Sequence, residues 1–312
     1  MAYQLSEINR RIKNDVEEFL AECDENYALR ISLAADKILS NLEESPVVLL
    51  SGPSGSGKTT TALKIAEELR RRGVNSHAVA MDNYFLTVNR KTAPRTPDGE
   101  IDYESPLCLD MELLDQHFTD LREGREIVIP KYEFSRQMRN DSMATLLSLG
   151  KNEVAIFEGI HALNDDIAGG HPEATKVYIS ARSNINEGSE LRFKGTWMRL
   201  TRRCVRDFNF RGTDVAETLE MWPNVRRGEK LYISPFKNRA DVIFDSSLPY
   251  EVSVMKNYAL PLFAAVPPEN ERYEELLELQ RAFEHFEAID PELVPRASLL
   301  REFIGGGSYK YH

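Results

Sequence analysis

Cysteine is scarce in this sequence, and the few cysteines lie far apart. The chain of 312 residues has three, at Cys23, Cys108 and Cys204. An odd number of widely spaced cysteines argues against a disulfide framework, and no pair has the spacing of a zinc site. The six histidines are scattered as well. We therefore expect neither a disulfide scaffold nor a metal site built from cysteine and histidine.

Long apolar runs and an excess of positive charge are also missing. No apolar run of the sequence approaches the roughly 18 residues that a membrane span needs, and the charged N-terminal segment has no apolar signal-peptide core. Acidic residues outnumber basic ones by 50 to 39, for a formal net charge of −11. This balance argues against a nucleic-acid partner, because such binding depends on neutralising phosphates. We expect a cytoplasmic protein that binds a small molecule and has no nucleic-acid or membrane partner.

The sequence does contain a regular alternation of strand-like and helix-like segments. Four consecutive apolar residues at 47–50 are typical of a strand buried on both faces of a parallel sheet. Other strands are predicted at residues 76–81, 126–129, 154–157, 175–180 and 240–244. Helices are predicted over residues 1–44, 58–72, 110–123, 196–207 and 269–287. The alternation predicts an α/β fold with a doubly wound, mostly parallel sheet.

This pattern also suggests how the chain is divided. The α/β domain is expected over residues 45–250. Residues 1–44 form an N-terminal helical extension, and residues 251–312 form a C-terminal helical segment that ends in a loose glycine-rich tail at 305–308. The sequence leaves open whether the terminal helices cover the sheet or form the interface of a homo-oligomer.

The segment from Gly52 to Thr59 matches the G-x-x-x-x-G-K-[ST] phosphate-binding loop. A predicted strand precedes it and a predicted helix follows, as the motif requires, so a P-loop NTPase fold that binds a nucleotide is expected. The loop alone does not indicate the reaction, since motors, switches and kinases share it. Glycines let successive N–H groups point inward and bind an anion at the helix N-terminus. Lys58 is expected to reach the terminal phosphates, and the Thr59 hydroxyl to bind Mg²⁺. The predicted ATP-binding residues are Gly52, Ser54, Gly55, Ser56, Gly57, Lys58, Thr59 and Thr60.

Three acidic residues lie at or near the ends of the predicted strands. Asp82 and Glu158 each follow a strand directly, and Asp102 lies in the irregular segment between them. In open parallel sheets, ligands bind beyond the carboxyl ends of the strands. A kinase that acts on an alcohol needs a carboxylate to accept the hydroxyl proton. Asp82 is the candidate base and Glu158 the candidate Mg²⁺ ligand, with a helix cap or a solvated loop acid as the alternative for each.

Six blocks of the sequence, in the same order, resemble the uridine kinase and phosphoribulokinase family of P-loop kinases. The stretch at 232–236, with the predicted strand at 240–244, resembles the bacterial uridine-kinase-related branch of that family. Of the six blocks, the phosphate loop comes first in the chain. The others are a strand-end Asp followed by aromatics at 81–85, a sugar-binding block at 101–106, a Pro-x-Tyr-x-Phe stretch at 130–134, a metal-site strand at 156–160 and an arginine-bearing lid at 202–212.

The resemblance implies a P-loop NTPase fold of the nucleoside- and NMP-kinase type. It implies an ATP- and Mg²⁺-dependent kinase that phosphorylates the 5′-hydroxyl of a nucleoside such as uridine or cytidine. It implies Asp82 as general base, assisted by Lys58, and Asp102 as a ligand of the ribose hydroxyls. It places Glu158, with Thr59, at Mg²⁺. Catalytic arginines Arg203, Arg206 and Arg211 would close over the phosphates from a lid at about 195–230. The residues implied to bind the substrate are Asp82, Phe85, Asp102, Tyr132, Phe134, Gln137 and Arg203.

The sequence departs from the family pattern at three positions. Gln137 stands where uridine kinases have a histidine that contacts the base, Thr213 where the lid usually has a second arginine, and Phe85 where a tyrosine is usual. These departures leave the base preference open, and the choice between ATP and GTP is open too. Two other functions remain open: a kinase of another hydroxyl compound, such as a sugar phosphate or pantothenate, and a non-catalytic ATP-binding regulatory protein.

Overall fold

The computed structural model describes residues 2–310 of the chain. The helices are α1 (Leu5–Asn14), α2 (Val16–Ser40), α3 (Lys58–Arg71), α4 (Met111–Arg122), α5 (Asp165–Ala168), α6 (Gly195–Arg211), α7 (Val215–Gly228), α8 (Glu251–Ala264), α9 (Tyr273–Glu284) and α10 (Arg301–Ile304). The strands are β1 (Tyr3–Gln4), β2 (Val47–Ser51), β3 (Asn75–Ala80), β4 (Ile127–Ile129), β5 (Tyr132–Glu133), β6 (Met138–Arg139), β7 (Thr145–Leu147), β8 (Glu153–Glu158), β9 (Thr175–Ser180), β10 (Ile185–Glu187), β11 (Glu190–Phe193) and β12 (Val242–Asp245).

A parallel sheet of five strands forms the centre of the molecule, in the order β12-β9-β2-β8-β3. Its middle strand β2 contains the apolar run of the sequence, and all of its residues are buried. Alternate residues point to opposite faces of the sheet. Val48 and Leu50 join one hydrophobic core with α2, α3, α6 and α8, whereas Val47 and Leu49 join the other with α4 and α5. Helices on both faces confirm the predicted doubly wound α/β fold.

The register of the strands brings three strand ends to one edge. Leu50 of β2 pairs with Glu158 of β8, and Glu158 pairs in turn with Ala80 of β3. The phosphate loop begins shortly after Leu50, and Asp82 follows Ala80 in a short 3₁₀ turn. The loop, Glu158 and Asp82 therefore lie together beyond the carboxyl ends of neighbouring strands.

The N-terminal region is mostly helical, as predicted, but the expected continuous helix over 1–44 is wrong: two helices, α1 and α2, span residues 5–14 and 16–40. The helix breaks at Asp15, which has an extended backbone. Its side chain accepts the backbone N–H of Glu18 at 2.9 Å and so begins a second helix. Tyr3–Gln4 form a short strand that pairs with β10.

Within residues 2–310, no helix is both long and apolar enough to cross a membrane.

Three further predicted elements are present in the structure, with differences in bounds or in pairing. The helix predicted at 110–123 is α4, and Asp110 caps it by accepting the backbone N–H of Leu113 at 3.1 Å. The strand predicted at 126–129 is β4, which pairs with β7 outside the central sheet. The helix predicted at 269–287 is shorter, because the Asn270 side chain holds a turn by accepting the backbone N–H of Arg272.

The C-terminal segment packs against the α/β domain. The glycine-rich stretch at 305–308, predicted to be a loose tail, is held in place: the Ser308 N–H donates to Arg296 O at 2.9 Å. Gly307 lies so close to the Arg301 side chain that a Cβ atom would be 2.8 Å from its Cβ. Gly307 thus allows close packing, and the prediction of a loose tail at 305–308 is wrong. The predicted lid at 195–230 forms α6 and α7.

Candidate active site

The loop between β2 and α3 has the backbone conformation of an anion cradle. Gly55 and Gly57 have φ angles of 73° and 78°, which glycine adopts without steric cost. Gly52 runs so close to β9 that a Cβ atom would lie 2.1 Å from Ile179 O. Helix α3 begins directly after the loop at Lys58, so backbone N–H groups gather at the N-terminus of a 14-residue helix.

Two buried arginines hold the phosphate loop from outside. Arg199 Nε donates to Ser54 O at 3.0 Å, and Arg202 Nη1 donates to Gly55 O at 3.2 Å. Their charges are balanced by Glu229 and Glu251, which accept from them at 2.8 Å and 2.5–2.9 Å respectively. Because these arginines hold the loop carbonyls, they help to fix the loop. The sequence analysis predicted neither of these contacts with the loop.

Lys58 and Glu158 form the charged centre of the site. Lys58 Nζ lies 3.8 Å from Glu158 Oε1. Burial raises the pKa of Glu158 to about 7; Lys58 opposes this shift, whereas the nearby charges of Asp82 and Glu302 add to it. A carboxylate with so much negative charge around it favours a cation beside it.

Two side chains of the site have oxygens of the kind that Mg²⁺ prefers. The Thr59 hydroxyl is half-buried at the start of α3 and has no hydrogen-bond partner among residues 2–310. Glu158 supplies a carboxylate whose charge Lys58 balances only in part. In the described part of the chain, no cluster of three or more acidic, histidine or cysteine side chains could hold a metal alone. Mg²⁺ usually completes its coordination with phosphate oxygens and water, so these two residues fit Mg²⁺ bound together with a nucleotide.

The raised pKa of Glu158 predicts a pH-dependent stability difference between the protein and its Glu158→Gln variant. The folded pKa of about 7 lies above the ordinary value of 4.5, so the folded state binds this proton more tightly than the unfolded state does. This contribution to stability is fully present below pH 4.5 and is lost as the pH rises through 7. We expect the wild type to lose about 3 kcal/mol relative to Glu158→Gln over that range.

Urea unfolding curves at several pH values between 4.5 and 8 would measure this difference. Glu43→Gln, which changes an exposed glutamate far from the loop, is the control and should follow the wild type at every pH. A wild-type curve parallel to that of Glu158→Gln would contradict the assigned shift.

Asp82 lies across from Lys58. Its side chain is open to the cleft, yet the surrounding protein limits its hydration and raises its pKa, while Lys58 and Arg211 are close enough to oppose the shift. The structure therefore brings Asp82 together with Lys58 and Glu158. A carboxylate with a raised pKa beside two cations suits a proton acceptor.

The predicted lid arginines converge on one carboxylate. Asp207 lies 3.2 Å from Arg203 Nε, 3.0 Å from Arg206 Nη2 and 3.4 Å from Arg211 Nη1. Arg203 also donates to Ser54 Oγ in the phosphate loop at 3.0 Å. Arg203 and Arg206 are largely shielded from solvent, unlike the residues of a solvated helix face. Because Asp207 can balance one charge only, the cluster keeps a positive excess beside the loop, which favours phosphate. The role of Asp207 was not predicted.

Asp102 does not present a free carboxylate to the cleft. It is buried, and it accepts from Arg227 Nη2 at 2.5 Å, from the Tyr232 hydroxyl at 3.2 Å and from the backbone N–H of Glu104 at 3.2 Å. These three bonds leave one acceptor position of the carboxylate unused, but the side chain is too buried for a ribose hydroxyl to reach it without movement of its surroundings. Its role as a ribose ligand therefore stays a prediction.

Glu104 is a further acidic residue near the site, and the sequence motifs did not predict a role for it. Burial raises its pKa to about 7, while the nearby charges of Arg203 and Lys58 oppose the shift. Gly228 at the end of α7 lies against its side chain. The only signal in the sequence was its position inside the block at 101–106.

An aromatic pocket is lined by residues that follow Asp82 in the chain, from Phe85 onwards. It is a cavity of about 370 Å³, and most of its walls are apolar. The rings of Phe85, Tyr132 and Phe134 lie with centroids 5.1–6.0 Å apart. Gln137, which has a φ of 51°, contributes its amide and donates to the Tyr103 hydroxyl at 3.4 Å. The structure thus brings four of the residues implied to bind the substrate, Phe85, Tyr132, Phe134 and Gln137, into one pocket.

Thr60 differs from the other predicted nucleotide contacts. Both its N–H and its hydroxyl donate to the Glu302 carboxylate, at 3.2 Å and 2.5 Å. Glu302 lies in α10, outside every motif of the sequence, and the 242 residues that separate the two left no sequence signal.

A phosphate loop on a parallel sheet, a carboxylate beside its lysine and arginines on a neighbouring helix define a P-loop kinase. The model of the phosphoribulokinase / uridine kinase family matches residues 47–253. The chain belongs to this family and is a phosphotransferase that acts on a hydroxyl group.

Similar proteins are found among both sequences and structures. A uridine kinase from Macrococcus caseolyticus is 27% identical over 203 residues, which cover 65% of this chain and 88% of that protein. A uridine kinase from Schizosaccharomyces pombe is 30% identical over 173 residues, or 55% of this chain; the match spans only 34% of that protein. A solved structure, titled a possible uridine kinase from Bacillus stearothermophilus, has a TM-score of 0.41 and 20% identity, and covers 64% of this chain and 88% of its own.

Proposed function

We propose that this kinase transfers the γ-phosphoryl group of ATP, bound with Mg²⁺, to the 5′-hydroxyl of a pyrimidine nucleoside. One observation supports the proposal: Asp82 interacts with the lysine of the phosphate loop, and the chain that follows it runs directly into the wall of the aromatic pocket. The pKa of Asp82 responds to Lys58 on the loop side, and Phe85, three residues further along, forms a pocket wall. An acceptor held by the pocket would therefore have its hydroxyl near Asp82.

The residues suggest how the transfer would proceed. The acceptor oxygen forms a bond to the γ-phosphorus, the bond to the oxygen that bridges the β- and γ-phosphates breaks, and ADP leaves. Asp82 accepts the proton of the acceptor hydroxyl. Lys58, Arg203 and Arg211 balance the charge on the transferred group, which is the main requirement of this chemistry. Mg²⁺, held by Thr59 and Glu158, would neutralise charge on the donor phosphates.

The pocket supports a flat, partly polar acceptor group. Three aromatic rings offer surfaces on which a base can stack. The Gln137 amide and the Tyr103 hydroxyl offer hydrogen bonds at the rim. An amide both donates and accepts, so it suits the edge of a pyrimidine. Several curated relatives are named uridine kinase, which agrees with this acceptor.

A panel of acceptors tests the proposal. ADP release would be measured with ATP and Mg²⁺ in the presence of uridine, cytidine, a sugar phosphate, pantothenate or no acceptor. We expect stimulation by uridine or cytidine. Stimulation by one of the other compounds alone would replace the nucleoside with that acceptor. ATP binding without stimulation by any compound would favour the regulatory alternative.

Replacing Phe134 with alanine should weaken binding of the acceptor but not of the donor. Phe134 is 61% exposed, so its loss should cost little stability. Stacking on an aromatic ring contributes about 1–3 kcal/mol per base, so the acceptor KM should rise by about 5- to 150-fold. Steady-state kinetics with each substrate varied in turn would measure both KM values. Leu146→Ala, at 63% exposure outside the pocket, is the control. An unchanged acceptor KM in Phe134→Ala would exclude stacking on this ring.

A further inference from the structure

The C-terminal segment reaches the phosphate loop with a carboxylate. Glu302 Oε2 accepts the Thr60 N–H at 3.2 Å and the Thr60 hydroxyl at 2.5 Å. Thr60 lies in the first turn of α3, where N–H groups have no partner within the helix. Both groups are buried. The carboxylate is therefore an anion bound where the loop and the helix N-terminus offer their donors.

The rest of the segment is built into the core beside the loop. Leu299 lies against Gly57, and a Cβ atom there would be 2.5 Å from its Cδ1. Phe303 lies under the Arg202 guanidinium, 5.3 Å from ring centroid to Cζ. Leu299, Leu300 and Phe303 have at most 1% exposure. Release of the whole segment would expose these side chains to water. Any movement that frees Thr60 is therefore expected in the Glu302 side chain and not in the segment as a whole.

We propose that Glu302 competes within the molecule for the Thr60 donors that would bind a phosphate of the nucleotide, and so sets the affinity of this kinase for its phosphoryl donor. This inference rests on one part of the proposed function, that the phosphoryl donor binds the loop through a polyphosphate. It does not depend on the identity of the acceptor. A phosphate and the carboxylate cannot both occupy the Thr60 donors, and two anions this close repel each other. Donor binding therefore requires the Glu302 carboxylate to swing away from Thr60.

Removing the charge of Glu302 should therefore tighten donor binding. In Glu302→Gln the shape is kept but the repulsion is lost, so we expect Mg²⁺-ATP and inorganic triphosphate to bind about tenfold more tightly. Glu302→Asp keeps the charge but is one methylene shorter, and it should also tighten binding because it reaches Thr60 less well. The acceptor KM should not change. A misfolded variant would lose acceptor binding as well, so an unchanged acceptor KM shows that the variant is folded.

Isothermal titration of the full chain with inorganic triphosphate and with Mg²⁺-ATP, without an acceptor, would measure these affinities. Glu292→Gln, an exposed glutamate of the same C-terminal segment, is the matched control and should bind as the wild type does. Equal or weaker binding by folded Glu302→Gln would overturn the competition and make Glu302 a support for Thr60. If neither ligand binds to any variant, the proposed donor site fails, and the inference fails with it.

Discussion

Replacing Asp82 with asparagine is expected to lower kcat by about 10²- to 10⁴-fold while ATP binding is largely kept. Asparagine has the same shape as aspartate but cannot accept the proton of the acceptor hydroxyl. The side chain lies at the end of β3, in the 3₁₀ turn Met81–Tyr84, near Lys58 and Arg211. The loss should therefore affect the transfer step, and the phosphate loop should remain intact.

The matched control for this variant is Asp166→Asn, which changes an exposed aspartate at the start of α5. It should keep the wild-type kcat. Acceptor-dependent ADP release gives kcat, and titration with ATP gives donor affinity. If Asp82→Asn turned over at the wild-type rate, Asp82 would not be the proton acceptor, and Glu104 would become the next candidate because of its raised pKa.

The parts of the site that the sequence predicted are those encoded by local patterns. The apolar run at 47–50 identified the central strand β2, and the glycine pattern identified the loop that follows it. Asp110 was recognisable as a helix cap because capping depends on residues only a few positions apart. Asp82 and Glu158 could be paired with the loop because parallel strands present their carboxyl ends at one edge.

The parts that the sequence did not predict depend on contacts between distant residues. Arg199 and Arg202 lie on the basic helix α6, and the sequence of that helix does not show whether their side chains are solvated or buried. They are buried because each has an acidic partner far along the chain, Glu229 for Arg199 and Glu251 for Arg202, 30 and 49 residues away. The Glu302–Thr60 contact spans the C-terminal segment and the loop, and no local pattern encodes it. Charge pairs of this kind depend on how helices pack over the sheet, which periodicity alone does not determine.

The buried pair of Arg202 and Glu251 is expected to have the largest effect on stability. Arg202 has no exposed surface, and it donates to Glu251, to Gly55 O and to Ser246 O. Arg202→Met removes the cation and leaves Glu251 buried without its partner, which should cost about 3–5 kcal/mol. Donor affinity should fall as well, because the carbonyl of Gly55 loses its anchor.

A double variant separates the cost of the unpaired charge from the loss of the loop anchor. Arg202→Met combined with Glu251→Leu removes both charges, so most of the lost stability should return, since a buried ion pair often contributes little over apolar residues of similar size. Donor affinity should stay low, because Gly55 O is still unpartnered. Urea unfolding and ATP titration would measure the two effects, with the exposed Arg182→Met as control. A loss of stability below about 1 kcal/mol in the single variant would contradict this prediction. It would mean that Glu251, whose pKa is raised by burial, takes up a proton at little cost once Arg202 is gone.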